Sequence, residues 1–141
     1  MKVIKEEINF NCSADKLWEI LSDISRCDWI PSVEMIEVNG DCRVFEMLGM
    51  GKITERILTN DAKEMKLQYS AVETRTPINH HLATMQIFKL DKNKCTLFWT
   101  TEIEPEIFAD AIHKGMLISI DGIKKVICLL YTSPSPRDKR Q

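Results

Sequence analysis

Residues 51–70 read GKITERILTNDAKEMKLQYS, and this stretch decides the fold. Ile53, Glu55 and Ile57 alternate, so all three share one face of a strand over 52–58. Thr59-Asn60-Asp61 interrupts the pattern, and a second strand begins at Met65 and runs through Tyr69 to Glu73. Two strands joined this tightly must pair antiparallel. Glu55 is the fault in the pattern, a carboxylate on an apolar face. An unpartnered buried carboxylate costs several kcal/mol. A sheet that carries one there encloses a space for water or a ligand rather than a fully packed core.

Outward from this pair, the same grammar repeats. Val33–Val38 runs to the hairpin signal Asn39-Gly40-Asp41, and Cys42–Leu48 to Gly49-Met50-Gly51. His80–Leu90 runs to Asp91-Lys92-Asn93-Lys94, and Thr96–Ile103 closes a six-strand meander. Before it, residues 2–11 alternate through Ile4, Ile8 and Phe10, giving one more strand. Ser13 reads as an N-cap, with Asp15 in the first turn and an apolar stripe from Leu17 to Ile24. Pro31 limits that helix, and a second short helical turn is expected around Asp28–Ser32. Pro105 opens a long helix over about 106–128, with Phe108, Ile112, Met116, Ile120, Ile123 and Ile127 at helical spacing. Gly115 and Gly122 interrupt the stripe, each costing about 1 kcal/mol against alanine. They mark either tight packing on the sheet or room left for something else.

Composition narrows the function. A net charge of −2 and no folded Lys/Arg cluster argue against nucleic acid as partner. No apolar run reaches the ~20 residues of a membrane span, and the start lacks the apolar stretch of a signal peptide. The cysteines at 12, 27, 42, 95 and 128 are scattered, with no CxxC pair. They read as thiols of a cytoplasmic protein rather than a disulfide or zinc framework. No metal or cofactor is expected. The motifs GxSxG, GxGxxG and HExxH and the P-loop are absent from the sequence.

The opening INFNCSADKLWEILSDISRCDWIPSV, with Trp18, Leu21-Ser22-Asp23 and Trp29, resembles that of the START-like (SRPBCC) superfamily. The likeness is to its polyketide cyclase/dehydrase and lipid-transport branch. GKITERILTNDAKEMKLQYS is similar to that branch's "TER" strand pair, and TLFWTTEIEP to its late strand. The order of elements is that of the helix-grip fold. The resemblance therefore implies an α+β domain over 1–130, with a curved seven-stranded antiparallel sheet around the long C-terminal helix and two short helices after strand one. It also implies an apolar cavity between sheet and helix. Residues 131–141 are expected to be a disordered tail. LLYTSPSPRDKRQ also resembles translated adaptor sequence, the alternative being a natural flexible tail.

The residues expected to line the cavity are Ile53, Glu55, Ile57, Tyr69, His80, Leu82, Thr84, Trp99, Phe108, Ile112 and Met116. The resemblance turns Glu55 inward and Arg56 outward; Glu55 either meets ligand through water or pairs with a nearby cation. His80 and His81 are neighbours on a strand and point to opposite faces, so they cannot share a metal as helical i, i+4 pairs do. The resemblance places His80, with Leu82 and Thr84, on the cavity side. Trp18 and Trp29 read as scaffold, Trp99 as cavity wall unless a bulge substitutes Phe98. Two functions follow. One is binding or transport of a small hydrophobic molecule: a lipid, sterol or polyketide-like compound. The other is a cyclase or dehydratase using Glu55 and His80 as acid and base. A stress or partner-binding protein with an incidental cavity is a third possibility, and fold alone does not choose among them.

Overall fold

A computed structural model describes residues 1–131. Its elements are β1 (Lys2–Phe10), α1 (Ala14–Ser22), β2 (Glu37–Asn39), β3 (Cys42–Met47), β4 (Gly51–Asp61), β5 (Lys66–Glu73), β6 (His80–Asp91), β7 (Lys94–Glu104) and α2 (Ala109–Tyr131). A 3₁₀ turn at Glu106–Phe108 leads into α2, after a cis Glu104–Pro105 peptide. The strands form one seven-stranded sheet in the order β1-β7-β6-β5-β4-β3-β2, antiparallel throughout. The sheet is curved, and α2 lies against its inner face. This is the helix-grip arrangement expected from the meander and the C-terminal helix.

Local chemistry explains the boundaries. Ser13 caps α1, its hydroxyl accepting from the Lys16 N–H at 3.2 Å, with Asp15 in the first turn. Gly40, at φ 61°, makes the tight β2–β3 hairpin where Asn39 pairs Cys42. The second short helix is not formed. Residues 23–33 are instead a chain of turns, in which the N–H groups of Arg26, Ile30 and Val33 donate to the carbonyls of Asp23, Cys27 and Ile30, each at 3.0 Å. Pro31 withholds a donor there and biases Ile30 away from helix. Val33–Val38 shortens to the exposed edge strand β2. Thr59-Asn60-Asp61 belongs to β4, and the reversal comes later, at residues 62–65, with Met65 at φ 52°. The C-terminal helix runs through Tyr131, so the expected tail begins one residue too early. The rest of that tail, residues 132–141, lies outside the described residues.

One half of the inner face is a closed core. Leu17, Ile20 and Leu21 of α1, Leu67 of β5, Leu97 of β7 and Ile123 of α2 are all at most 1 % exposed. Burying each such side chain contributes about 1.5–3 kcal/mol. Gly122 lets α2 sit directly on the turn chain: a Cβ there would fall 2.1 Å from the Trp29 carbonyl oxygen. Of the two expectations for the helical glycines, tight packing holds at Gly122, although against the 29–31 segment rather than the sheet. Gly115, two turns earlier, has nothing within 4 Å of its added Cβ. Cys12, Cys27, Cys42 and Cys95 are free thiols. No described helix is long and apolar enough to cross a membrane.

Candidate functional site

Beneath the first half of α2 the side chains no longer meet, leaving a cavity of about 300 Å³. Its walls are mostly apolar: Ile30, Phe45, Ile53, Trp99, Ile112 and Met116 among others. Trp29 and Trp99 pack edge to face, 6.4 Å between centroids. Gly115 opens part of the helical wall. Leu48, Met50 and Ile118, all partly or well exposed, also border the cavity.

A polar group occupies one side. Arg43 on β3 shares the inward face of Phe45 and is only 3 % exposed. Its Nε donates to Glu55 Oε1 at 2.8 Å, from the paired position on β4. The guanidinium also lies 4.7 Å from the centre of the Tyr69 ring. Burial, with the Glu55 charge beside it, raises the Tyr69 phenol far above its usual range, against smaller opposing effects of Arg43 and Trp99. Tyr69 is therefore a neutral hydroxyl at any physiological pH. His81 Nδ1 accepts the Ala71 N–H at 2.9 Å, and burial, with His80 adjacent, lowers its pKa to about 4. At neutral pH its single proton then sits on Nε2, making His81 a hydrogen-bond donor and a poor base.

Six of the expected lining residues come together here: Ile53, Glu55, Tyr69, Trp99, Ile112 and Met116. Glu55 takes the cation-paired alternative, with Arg43. Ile57 and Phe108 are instead partly buried against the core outside the cavity. Ile57 precedes a register shift in the β4–β5 pairing, and Phe108 stands on the 3₁₀ turn rather than the α2 stripe. His80, Leu82 and Thr84 are on the opposite face, which corrects their inward assignment. His80 Nε2 lies 2.9 Å from Glu102, and Thr84 accepts from Gln68 at 3.1 Å in an outer polar ladder. His81, Ala83 and Met85 take the inner face, Met85 opposite Trp99.

The physical reason is a bulge. The β6–β7 turn pairs Asp91 with Lys94, and an unbroken count from there would set Gln86 opposite Trp99 and turn the even residues of β6 inward. A shift between Lys89 and Asp91 moves every partner by one and reverses the face. Sequence reasoning also missed Arg43, Trp29 and His81 as cavity residues. Arg43 was findable, since it alternates with Phe45 and Met47. Trp29 was taken for scaffold, yet it borders the cavity. Among the described residues no cluster of three or more His, Cys, Asp or Glu could hold a metal ion.

Comparison with known proteins agrees with this architecture. Structurally the chain is similar to XoxI from Bacillus cereus, with a TM-score of 0.81 at 18 % identity, covering 89 % of this chain and 95 % of that one. It is also similar to the Zhui aromatase/cyclase from Streptomyces sp. R1128, with a TM-score of 0.76 at 15 % identity, covering 94 % and 97 %. For norcoclaurine synthase from Thalictrum flavum the TM-score is 0.73 at 21 % identity, covering 89 % and 86 %. At these identities the likeness concerns the fold. A search of curated proteins finds no match. Residues 1–120 match the polyketide cyclase / dehydrase and lipid transport family, and the chain belongs to that family.

Proposed function

We propose that this member of the polyketide cyclase/dehydrase and lipid transport family binds a small hydrophobic molecule in the cavity beneath α2, through a ligand-binding domain spanning residues 1–130. One observation carries the reading: a cavity of about 300 Å³ with mostly apolar walls and a few convergent polar side chains. That combination is the usual form of a small-molecule site. Ile53, Trp99, Ile112 and Met116 would hold the apolar body, while Glu55 and Tyr69 would face its polar end. Native mass spectrometry of freshly purified full-length protein tests this. A non-covalent apolar adduct, removed by organic extraction, is expected. Bare protein that also fails to take up an added apolar probe would sink the reading.

The second reading, a cyclase or dehydratase, is favoured by the family description and by the neutral Tyr69 hydroxyl beside Glu55. The pair Glu55 and His80 cannot serve it, because His80 is on the outer face with Glu102. His81 is a weak replacement, since its Nδ1 is engaged by the Ala71 amide. Glu55→Gln separates the two functions. A binding site loses about 2- to 10-fold in affinity. An enzyme using Glu55 as general base loses about 10²–10⁴-fold in rate with little change in binding.

A further inference from the structure

The polar side of the cavity is unbalanced. Among the described residues, Trp29 Nε1, Trp99 Nε1 and Arg43 Nη1 are buried donors with no hydrogen-bond partner. All three residues border the cavity. They are also linked through ring contacts: Trp29 packs on Trp99, and Arg43 lies over Tyr69. The His81 Nε2 proton adds a fourth donor on the same wall. The one carboxylate on the wall, Glu55, is already engaged by Arg43, and the other acceptors there are hydroxyls, those of Tyr69, Thr101 and Ser119 among them. A buried donor left unsatisfied costs about 1–3 kcal/mol, so orphan donors clustered at one cavity are a strong demand for acceptors.

Charge narrows the acceptor. The Arg43 cation is matched by Glu55 at 2.8 Å, and Lys114, the other cation bordering the cavity, is exposed at its rim, so the buried end offers no net positive charge to an incoming anion. A carboxylate would lose its hydration there without a counter-ion, which is costly. We infer that the cavity selects an uncharged ligand whose buried end carries acceptor oxygens, such as a ketone or other carbonyl, received by Arg43, Trp99 and Trp29. The inference rests on the cavity reading above and names the chemistry of its ligand.

Three derivatives of naphthalene substituted at the same carbon test it: the methyl ketone, the ethyl compound and the carboxylate. Their affinities for the full-length protein are measured by calorimetry at neutral pH. The ketone is expected to bind about 10-fold tighter than its ethyl isostere, the sum of two modest hydrogen bonds. The carboxylate is expected to bind more weakly than the ketone. Trp99→Phe removes one donor and shrinks the indole to a phenyl, so both ligands are measured on the variant, and the ketone's advantage over the ethyl compound should fall by about 3-fold. The wild-type series needs no variant, so it stands even if Trp99→Phe folds poorly. Equal binding of ketone and ethyl compound overturns the inference and leaves the cavity reading intact. Preference for the carboxylate overturns the choice of an uncharged ligand. Binding of none of the three overturns the cavity reading and this inference with it.

Discussion

The two halves of the groove between sheet and α2 are built from the same kinds of residue and end in opposite states. Over Leu67, Leu97 and Ile123 the side chains interlock with α1. Over Ile53, Tyr69 and Trp99 they stand apart, and an ion pair, a phenol and an imidazole share the space. The two glycines of α2 mark the divide. Gly122 is where the helix backbone touches the turn chain, and Gly115 is where an added Cβ would meet nothing within 4 Å. Apolar side chains alone therefore do not decide whether a region becomes core. What decides is whether a second layer, here α1, is present to fill it.

Truncation should expose this contrast most strongly. Leu97→Ala in the closed half is expected to cost about 3–5 kcal/mol, the range for a fully buried leucine that leaves a cavity. Ile112→Ala, on the wall of an existing space, should cost under about 1.5 kcal/mol. Urea denaturation of both variants checks the difference. Equal losses would show that the cavity half is as tightly packed as the core.

Acid should act mainly through the open half. His81 is buried neutral, with its pKa lowered from an ordinary 6.5 to about 4. Between those values the unfolded chain binds the proton that the folded one refuses, so stability rises with pH across this window. It is complete above about pH 6.5 and is lost progressively toward pH 4, by up to about 3 kcal/mol. His81→Gln should flatten the acid limb of a stability–pH curve. An unchanged slope in the variant would mean that His81 titrates as it does in water.

The glycines give smaller effects of opposite sign. Gly122→Ala drives a methyl group into the Trp29 carbonyl and should cost about 2 kcal/mol net. Gly115→Ala meets open space and should stabilise by up to about 1 kcal/mol through helix propensity. Thermal melts suffice, and a destabilised Gly115→Ala would place a neighbour where none is seen.

Much of this was legible in the sequence, and the exceptions have physical causes. Alternation and short turns gave every strand and the antiparallel order, because a period of two and a tight hairpin leave little choice. The same alternation put Ile53 and Glu55 on one face and Trp99 with Leu97 on another, and the family resemblance turned those faces toward the cavity. The face of β6 did not. HHLATMQIF has hydrophobes on both parities, so only register could settle it, and a single bulge at 89–91 set that register. The turns at 23–33 escaped notice because their hydrogen bonds are local while their position depends on Gly122, about ninety residues away. Arg43 was passed over because a charged residue on an edge-proximal strand reads as solvated until its partner, Glu55, is known to face it.

The three tryptophans offer the most direct test that the open half is a binding site. Trp29 and Trp99 border the cavity and Trp18, on α1, does not. Each indole N–H gives its own resonance in a heteronuclear NMR spectrum of isotope-labelled protein. On titration with the methyl ketone of naphthalene, the Trp29 and Trp99 indole signals and the Gly115 amide should shift together and saturate. Trp18 and Gly122 should stay in place. Shifts centred on His80, Leu82 and Thr84 on the outer face, or on Trp18, would contradict the account.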